Sequence, residues 1–263
     1  MTIMSVCVPA LASGCASELG HLKLALCGPG FFTCAGVHGS DTDGPSVDCE
    51  VLQSAYEASM RLHASEATAW IQHKPPTEPQ RWWFTLADGR PAPPDSEHPG
   101  VTDAIRALDS RLASVAQVLA VSIDRALQLP SKGFLQSASR AMLRGLRYDG
   151  ATADGMGIGS HVDFGSFTLC HSNCDGLEVL DKRGPEHQWH RLAGGKLYFL
   201  VGSELEKKSR RAARAVTHRV RLSTPCKRFS FCRLHGVNTK QAGNRVLSPS
   251  DPASATAIAA VAA

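Results

Sequence analysis

Hydrophobic residues recur at helical spacing in three segments of the N-terminal half of the chain. The longest segment, residues 102–128, has a hydrophobic side chain at every third or fourth position: Ile105, Leu108, Leu112, Val115, Leu119 and Ile123. The segments 17–27 and 48–65 show the same spacing, and Gly28-Pro29-Gly30 follows the first of them. This period is typical of an amphipathic helix with one face in the core, so the pattern predicts three helices.

After Ala141 the pattern changes to short apolar runs separated by glycine and polar residues. The runs are MLRGLRY, SFTLC, GLEVLD, WHRL, KLYFLVG, THRVRL and RFSFCRL. Each has the length and side-chain content of a strand, and several short strands at this spacing are typical of an antiparallel sandwich or barrel. Another short strand is predicted at Phe31–Thr33. Residues 74–100 are rich in proline and predict a loop or lid, anchored only by Trp82, Trp83 and Phe84.

The same pattern defines the expected domain organisation. We expect residues 1–246 to form a single domain, because a chain of this length can bury one full core. Within it, residues 1–130 form a helical N-terminal part and residues 140–240 a strand-rich core. Residues 247–263 are small and nearly featureless, and we expect them to be a disordered tail.

Composition narrows the functional classes without selecting one. The chain carries a net charge of +4 over 263 residues, which is too small to indicate nucleic-acid binding. No apolar run approaches the roughly 20 residues of a transmembrane helix, and the apolar N-terminus lacks the basic region of a secretory signal. The nine cysteines have no repeated spacing and are expected to be reduced thiols. We therefore expect a cytoplasmic protein that is not attached to a membrane.

Three side chains suited to metal binding stand beside predicted strands. In GSHVDFGSFTL, His161 and Asp163 are two positions apart, and residues two apart on a strand point to the same face. His218 stands near the start of another run, THRVRL. Two histidines and a carboxylate on one face of a metal leave about three positions open, which suits non-haem Fe(II) that must bind a chelating cosubstrate and O2. Catalytic zinc sites also use three protein ligands, so the ligand set alone leaves both metals open.

The run RFSFCRL contains a second candidate site. Arg228 and Ser230 share one face of the predicted strand, and a guanidinium beside a hydroxyl is suited to binding a carboxylate. A hydrolytic zinc site would not require this pair, so it favours iron. The alternation of the strand predicts two faces, one with Arg228, Ser230, Cys232 and Leu234 and the other with Phe229, Phe231 and Arg233.

These motifs together resemble the 2-oxoglutarate/Fe(II) dioxygenases related to isopenicillin N synthase. That family has His-x-Asp, a distal histidine and an Arg-x-Ser ten residues later, and here the motifs are HVD, THRV and RFS. LKLALCGPGFFTCAGVHG is similar to the family's N-terminal helix and strand, and HVDFGSFTLCHSNCDGLEVLD to its iron-bearing hairpin. The stretch from LYFLVGSELEK to AVTHRV is similar to the segment that leads into the second histidine. The resemblance covers roughly residues 5–240.

The resemblance implies a fold, a chemistry and a set of roles. The fold would be mainly β with α: a double-stranded β-helix, or jelly roll, flanked by N-terminal helices. His161, Asp163 and His218 would bind Fe(II), with 2-oxoglutarate and O2 as cosubstrates. Arg228 and Ser230 would bind the distal carboxylate of 2-oxoglutarate, and Tyr148 would lie beside it. The activity implied is oxidation of a C–H bond in a small-molecule substrate, by hydroxylation, desaturation or cyclisation.

Several features depart from the family pattern or leave alternatives open. The family usually has Gly-Asp at Gly202-Ser203, and the stretch from Lys207 to Arg214 is unusually basic. We interpret that basic run as a solvated loop and CHSNC as a strand end followed by a turn. Two other functions remain open: an oxidase of the same fold that uses no 2-oxoglutarate, and a non-catalytic jelly-roll binding protein. The sequence does not determine the substrate or the oligomeric state.

Overall fold

The computed structural model describes residues 2–37, 47–64, 71–73, 81–87, 98–129, 141–148, 155–183, 186–222 and 227–236. The helices are α1 (Val8–Ala12), α2 (Ala16–Cys27), α3 (Cys49–Ala64), α4 (Val101–Leu127) and α5 (Ser203–Lys208). The strands of the N-terminal part are β1 (Ser5–Cys7), β2 (Phe31–Ala35), β3 (Gln72–His73) and β4 (Arg81–Ala87). Those that follow are β5 (Ala141–Tyr148), β6 (Met156–His161), β7 (Phe167–Ser172), β8 (Leu177–Asp181), β9 (Gln188–Arg191), β10 (Leu197–Val201), β11 (His218–Arg221) and β12 (Arg228–His235).

The strands of the described residues form two sheets. The larger sheet has eight strands in the order β1-β2-β10-β7-β12-β5-β4-β3, and the smaller has four in the order β6-β11-β8-β9. Among the strand pairs that the structure describes, all are antiparallel except that of β1 with β2. The two inner faces enclose a cavity lined from both sheets, for example by Leu146 and Leu200 of the larger and Ile158 and Val220 of the smaller. The predicted jelly-roll architecture is confirmed.

Helix α4 covers the outer face of the larger sheet because its apolar positions repeat every three or four residues. Ile105, Leu108, Leu112, Val115 and Leu119 are all buried in the main core with Phe229 and Phe231 of β12. Burial of each such side chain stabilises the fold by about 1.5–3 kcal/mol. The three helices predicted from the sequence correspond to α2, α3 and α4. Within the described part of the chain, no helix combines the length and apolar character that crossing a bilayer requires.

The N-terminal part contributes more to the sheet than the sequence pattern predicted. The prediction of a loop or lid at residues 74–100 is wrong for Arg81–Ala87, which form β4 and pair with β5 along their whole length. Phe84 is buried beneath the helices and contacts Phe231 with the ring edge. Strands β1 and β2 extend the opposite edge of the same sheet. Residues 88–97 and the predicted tail at 247–263 lie outside the described residues.

Candidate metal centre and adjoining cavity

The register of two strands in the smaller sheet brings the two candidate histidines together. His161 is the last residue of β6 and His218 the first of β11, and their Cα atoms are direct partners in the antiparallel pair. The two ring centroids are 4.2 Å apart. Residues that face each other across antiparallel strands have closely spaced side chains, so this register is the reason for the pairing.

Asp163 joins the histidines, but not because it continues the strand. Strand β6 ends at His161, and Asp163 lies in the turn beyond it, so the strand-alternation argument for this pair is wrong. One carboxylate oxygen, Oδ1, lies 3.8 Å from Nε2 of His161, and the other, Oδ2, lies 3.9 Å from Nε2 of His218. The three candidate ligand atoms lie within 4.8 Å of one another. The predicted residues therefore converge on one point.

Contacts from two other elements hold the Asp163 turn in place. The hydroxyl of Thr168, on β7, donates a hydrogen bond of 2.5 Å to Oδ2 of Asp163. The backbone N–H of Ser203 donates to the carbonyl oxygen of Asp163, at 2.8 Å. Gly202 permits this approach, because a Cβ there would collide with the carbonyl group of Gly165. Gly202 and Ser203 thus help to position Asp163 through backbone contacts. The chain departs from the family's Gly-Asp at this pair, and the backbone contact does not need an aspartate side chain.

Both imidazole rings are oriented by backbone carbonyl groups. The Nδ1 atom of His161 lies 2.9 Å from the carbonyl oxygen of Gly159, and that of His218 lies 3.1 Å from the carbonyl oxygen of Val216. A carbonyl oxygen only accepts, so each Nδ1 must donate, and in a neutral ring this leaves Nε2 with a free lone pair. Hydrogen bonds of this kind orient metal-binding histidines in proteins.

The electrostatics of the cluster match those of a metal site. Burial, assisted by the neighbouring His218, lowers the pKa of His161 to about 4, so its ring is neutral near pH 7. Burial alone would raise the pKa of the Asp163 carboxyl, but His218, His161 and Thr168 outweigh it and hold that pKa below its usual value. A neutral imidazole and an ionised carboxylate are the forms that bind a metal ion.

Arg228 and Ser230 line the same cavity as the three candidate ligands. Arg228 is only 1% exposed, and none of its three guanidinium nitrogens has a hydrogen-bond partner among the described residues. Its guanidinium carbon lies 5.2 Å from the ring centre of Tyr148, the residue opposite it on β5. A buried charge without a partner is strongly unfavourable, so this guanidinium is arranged for an anion that enters the cavity. The cavity thus fits a carboxylate-bearing cosubstrate.

Strand β12 has the two faces that its alternation predicts. Arg228, Ser230, Cys232 and Leu234 line the cavity. Phe229 and Phe231 lie in the helix-covered core, and Nε of Arg233 donates to Oδ1 of Asp109, on α4, at 3.0 Å. The prediction that Arg233 faces away from the site is confirmed.

Successive side chains of the part of CHSNC that lies on β7 also point to opposite faces of the sheet. Cys170 lines the cavity, whereas His171, the next residue on β7, pairs with the hydroxyl of Tyr56 at 2.7 Å on the helix side. Cys174 lies in the turn after β7, in agreement with our interpretation of this stretch.

Two polar residues of the cavity, Thr168 and Arg144, were not found from the sequence. Thr168 holds Asp163, and Arg144 lines the cavity from β5. Arg144 and Tyr148 are four residues apart on one strand and therefore share a face. Applying the alternation rule from Tyr148 would have found Arg144, whereas no sequence signal marks Thr168.

Sequence comparison finds a curated relative for part of the chain. No protein-family model matches the chain. A curated relative, flavanone 3-dioxygenase 3 of Oryza sativa subsp. japonica, is 30% identical over 81 residues, which are 31% of this chain and 25% of the relative. The chain thus matches only about a quarter of that relative's length.

Solved structures resemble the chain over nearly its whole length. The dioxygenase for auxin oxidation of rice has a TM-score of 0.71 at 20% identity, over 89% of this chain and 82% of that one. The dioxygenase for auxin oxidation 1 of Arabidopsis thaliana, in its complex with 2-oxoglutarate, has a TM-score of 0.70 at 14% identity, over 89% and 92% of the two chains. The chain therefore has the double-stranded β-helix fold of the 2-oxoglutarate/Fe(II) dioxygenases, and the resemblance found in its sequence is confirmed at the level of the fold.

Proposed function

We propose that this protein is a 2-oxoglutarate-dependent Fe(II) dioxygenase that oxidises a C–H bond of a small molecule, with hydroxylation as the main outcome. One observation carries the proposal. The buried guanidinium of Arg228 has no hydrogen-bond partner among the described residues and lines the same cavity as His161, Asp163 and His218. A metal-ligand triad beside an unpaired arginine supports an enzyme that binds both a metal and a carboxylate.

In the proposed enzyme each cavity residue has a defined role. The Nε2 atoms of His161 and His218 and a carboxylate oxygen of Asp163 hold Fe(II). The Arg228 guanidinium binds the distal carboxylate of 2-oxoglutarate with Ser230, and Tyr148 packs beside the cosubstrate. The bound metal and cosubstrates supply the oxidation: 2-oxoglutarate and O2 are converted to succinate and CO2 as one oxygen atom is transferred to the substrate.

The remaining lining of the cavity protects this chemistry from water. Leu146, Ile158, Leu177 and Val220 are all buried and face the cavity from both sheets. An apolar wall lowers the local dielectric, which strengthens the attraction between Arg228 and a bound carboxylate. The apolar wall also holds the substrate by van der Waals contact, and the few polar groups of the cavity fix the orientation of the bound substrate.

We further propose a domain organisation, a substrate class and a cellular location for the enzyme. Residues 1–246 make up one catalytic domain, and the substrate is a small molecule, not a nucleic acid. None of the eight cysteines among the described residues forms a disulfide, which supports a reducing, cytoplasmic location.

The test is metal and cosubstrate binding followed by turnover. Under anaerobic conditions, Fe(II) and 2-oxoglutarate should produce a weak visible charge-transfer band in the wild-type protein. Asp163→Ala should abolish this band, whereas Asp103→Ala, at an exposed position on α4, should leave it intact. With a substrate found by screening candidate metabolites, succinate should form in proportion to product.

The other outcomes distinguish the alternatives. Turnover that requires Fe(II) but proceeds without 2-oxoglutarate would indicate an oxidase in which Arg228 and Ser230 hold the substrate's own carboxylate. A band that survives in Asp163→Ala would refute the ligand assignment. Metal-independent binding of small molecules without succinate formation would indicate a non-catalytic binding protein.

A further inference from the structure

A second arginine is buried in the same cavity. Arg144, on β5, is 4% exposed and lines the cavity together with the candidate metal ligands. Its Nε and Nη1 atoms have no hydrogen-bond partner among the described residues, and Nη2 donates a long hydrogen bond of 4.0 Å to the sulfur of Met142. Arginine stays charged in proteins, so this is a buried cation with unused donors.

Arg144 does not occupy the same level of the sheet as Arg228. Arg228 lies opposite Tyr148, whereas Arg144 lies opposite Cys232, four residues away along both strands. At about 3.3 Å per residue, this separates the two levels by about 13 Å along β5. Cys232 in turn lies opposite Cys170 of β7, two residues from Thr168, which holds Asp163. Arg144 is therefore nearer to the metal end of the cavity than Arg228 is.

Charge balance shows that the proposed cosubstrate leaves Arg144 without a counter-charge. This step rests on the proposed function. The charges of Fe(II) and Arg228 are balanced by Asp163 and the two carboxylates of 2-oxoglutarate, with both histidines neutral. Arg144 then remains as an additional positive charge in an apolar enclosure, where an uncompensated ion is unfavourable.

The surroundings of Arg144 add further positive potential and another hydrogen-bond donor. The guanidinium carbons of Arg81 and Arg144 lie 5.2 and 6.0 Å from the ring centre of Trp83. The indole N–H of Trp83 is buried without a hydrogen-bond partner among the described residues. Burial, with a smaller effect of Arg81, lowers the pKa of Arg144 to about 10, which still leaves it protonated near pH 7.

From these contacts we infer that Arg144 binds a carboxylate group of the substrate, so that the substrates are small organic acids. The guanidinium fork would receive the carboxylate by bidentate hydrogen bonds. An acid held at this point has its carbon skeleton directed along the cavity, which selects the C–H bond presented to the metal centre. Arg144 is thus a specificity-determining residue, separate from the cosubstrate site at Arg228.

The experiment compares carboxylic acids with amides of the same size. The protein is loaded anaerobically with Fe(II) and saturated with 2-oxoglutarate, so that Arg228 is occupied. Acetate and phenylacetate are then titrated against acetamide and phenylacetamide, with binding followed by the melting temperature and by the visible band of the iron–cosubstrate complex. Sodium chloride at equal ionic strength measures the general effect of salt.

We expect each acid to bind at least tenfold more tightly than its amide, and chloride to have no comparable effect. Arg144→Gln should abolish this preference. Arg147→Gln, three residues away on the opposite face of β5, should retain it, because Arg147 donates to the carbonyl of His63 outside the cavity. If Arg144→Gln does not fold, Arg144→Met replaces it, since methionine packs without a buried charge.

Equal binding of acids and amides to the wild-type protein would overturn the inference, as would a preference that persists without Arg144. Chloride acting as strongly as the acids would also overturn it, because the site would then bind anions in general. Failure of 2-oxoglutarate to bind in the first step would refute the proposed function. Normal 2-oxoglutarate binding without acid preference would refute the role of Arg144 alone.

Discussion

The Oγ1 atom of Thr168 donates a hydrogen bond of 2.5 Å to Oδ2 of Asp163. This contact links the turn that carries the carboxylate to β7, a central strand of the larger sheet, whereas both histidines belong to the smaller sheet. The candidate metal centre therefore depends on how the two sheets lie relative to each other. The hydrogen bond from Thr168 fixes the orientation of the Asp163 carboxylate relative to the two histidines.

Replacing Thr168 by valine should weaken metal binding without unfolding the protein. Valine has nearly the same shape, but it leaves Asp163 without the hydrogen bond that orients it. Loss of a group that orients a metal ligand typically lowers affinity by about 10–100-fold, and we expect a loss in this range for Fe(II). Calorimetric titration of Fe(II) under anaerobic conditions measures it. Thr33→Val, on β2, is the matched control, and equal affinities in the two variants would contradict the assigned role.

Replacing Arg228 by lysine should weaken 2-oxoglutarate binding by about one to two decades. An ammonium group presents a point charge where two parallel hydrogen bonds are needed, and bonds to charged groups contribute about 1.5–3 kcal/mol each. Arg228→Leu should weaken binding further. Fe(II) binding should survive in both variants, since the ligands are elsewhere. Titration of 2-oxoglutarate against the iron-loaded proteins, followed by the visible band, gives the affinities, and three equal values would show that Arg228 does not bind the cosubstrate.

Replacing Arg233 by alanine should affect stability and leave cosubstrate binding unchanged. Its ion pair with Asp109 joins β12 to α4, with the two side chains 11% and 30% exposed. Partly exposed pairs of this kind contribute up to about 1 kcal/mol. Denaturant unfolding of Arg233→Ala, Asp109→Ala and the double variant measures the coupling. A changed affinity for 2-oxoglutarate in Arg233→Ala would contradict the assignment of the two faces of β12.

Glu178 should make stability depend on pH in the acid range. Its carboxylate receives hydrogen bonds from Arg191 at 2.9 Å and from Arg219 at 2.7 Å. Burial alone would raise the pKa of Glu178, but the two arginines outweigh it and lower that pKa. A group with a lowered pKa in the folded state stabilises the protein above its unfolded pKa, and this contribution is lost as the pH falls through the folded pKa.

Comparing wild type with Glu178→Gln tests the direction of this pH dependence of stability. In metal-free protein near pH 7, the variant should have a free energy of unfolding lower by about 1 kcal/mol. The difference should vanish well below the usual pKa range of carboxyl groups. Glu57→Gln, at an exposed position on α3, controls for the substitution itself. A difference that grows as the pH falls would mean that the two arginines do not stabilise the ionised form.

The sequence alone predicted most of the elements, the three candidate metal ligands and the cavity arginine Arg228. The apolar period of residues 102–128 predicts α4 because a helix on a sheet must bury one face, and the same reasoning yields the two faces of β12. The motifs around His161, Asp163, His218 and Arg228 were found without a structure because their spacing along the chain is characteristic. Element type, the faces of an element and motif spacing can be read directly from the order of residues along the chain.

Only the tertiary structure decided how these residues meet. Strand alternation does not bring Asp163 to His161, since β6 ends first and contacts from Thr168 and Ser203 place the carboxylate. Residues 81–87 carry prolines on both sides, and only pairing with β5 makes them a strand. Arg144 became a candidate once its burial and its unused donors were visible. Register, burial and hydrogen-bond satisfaction depend on residues distant in the chain, so no local pattern determines them.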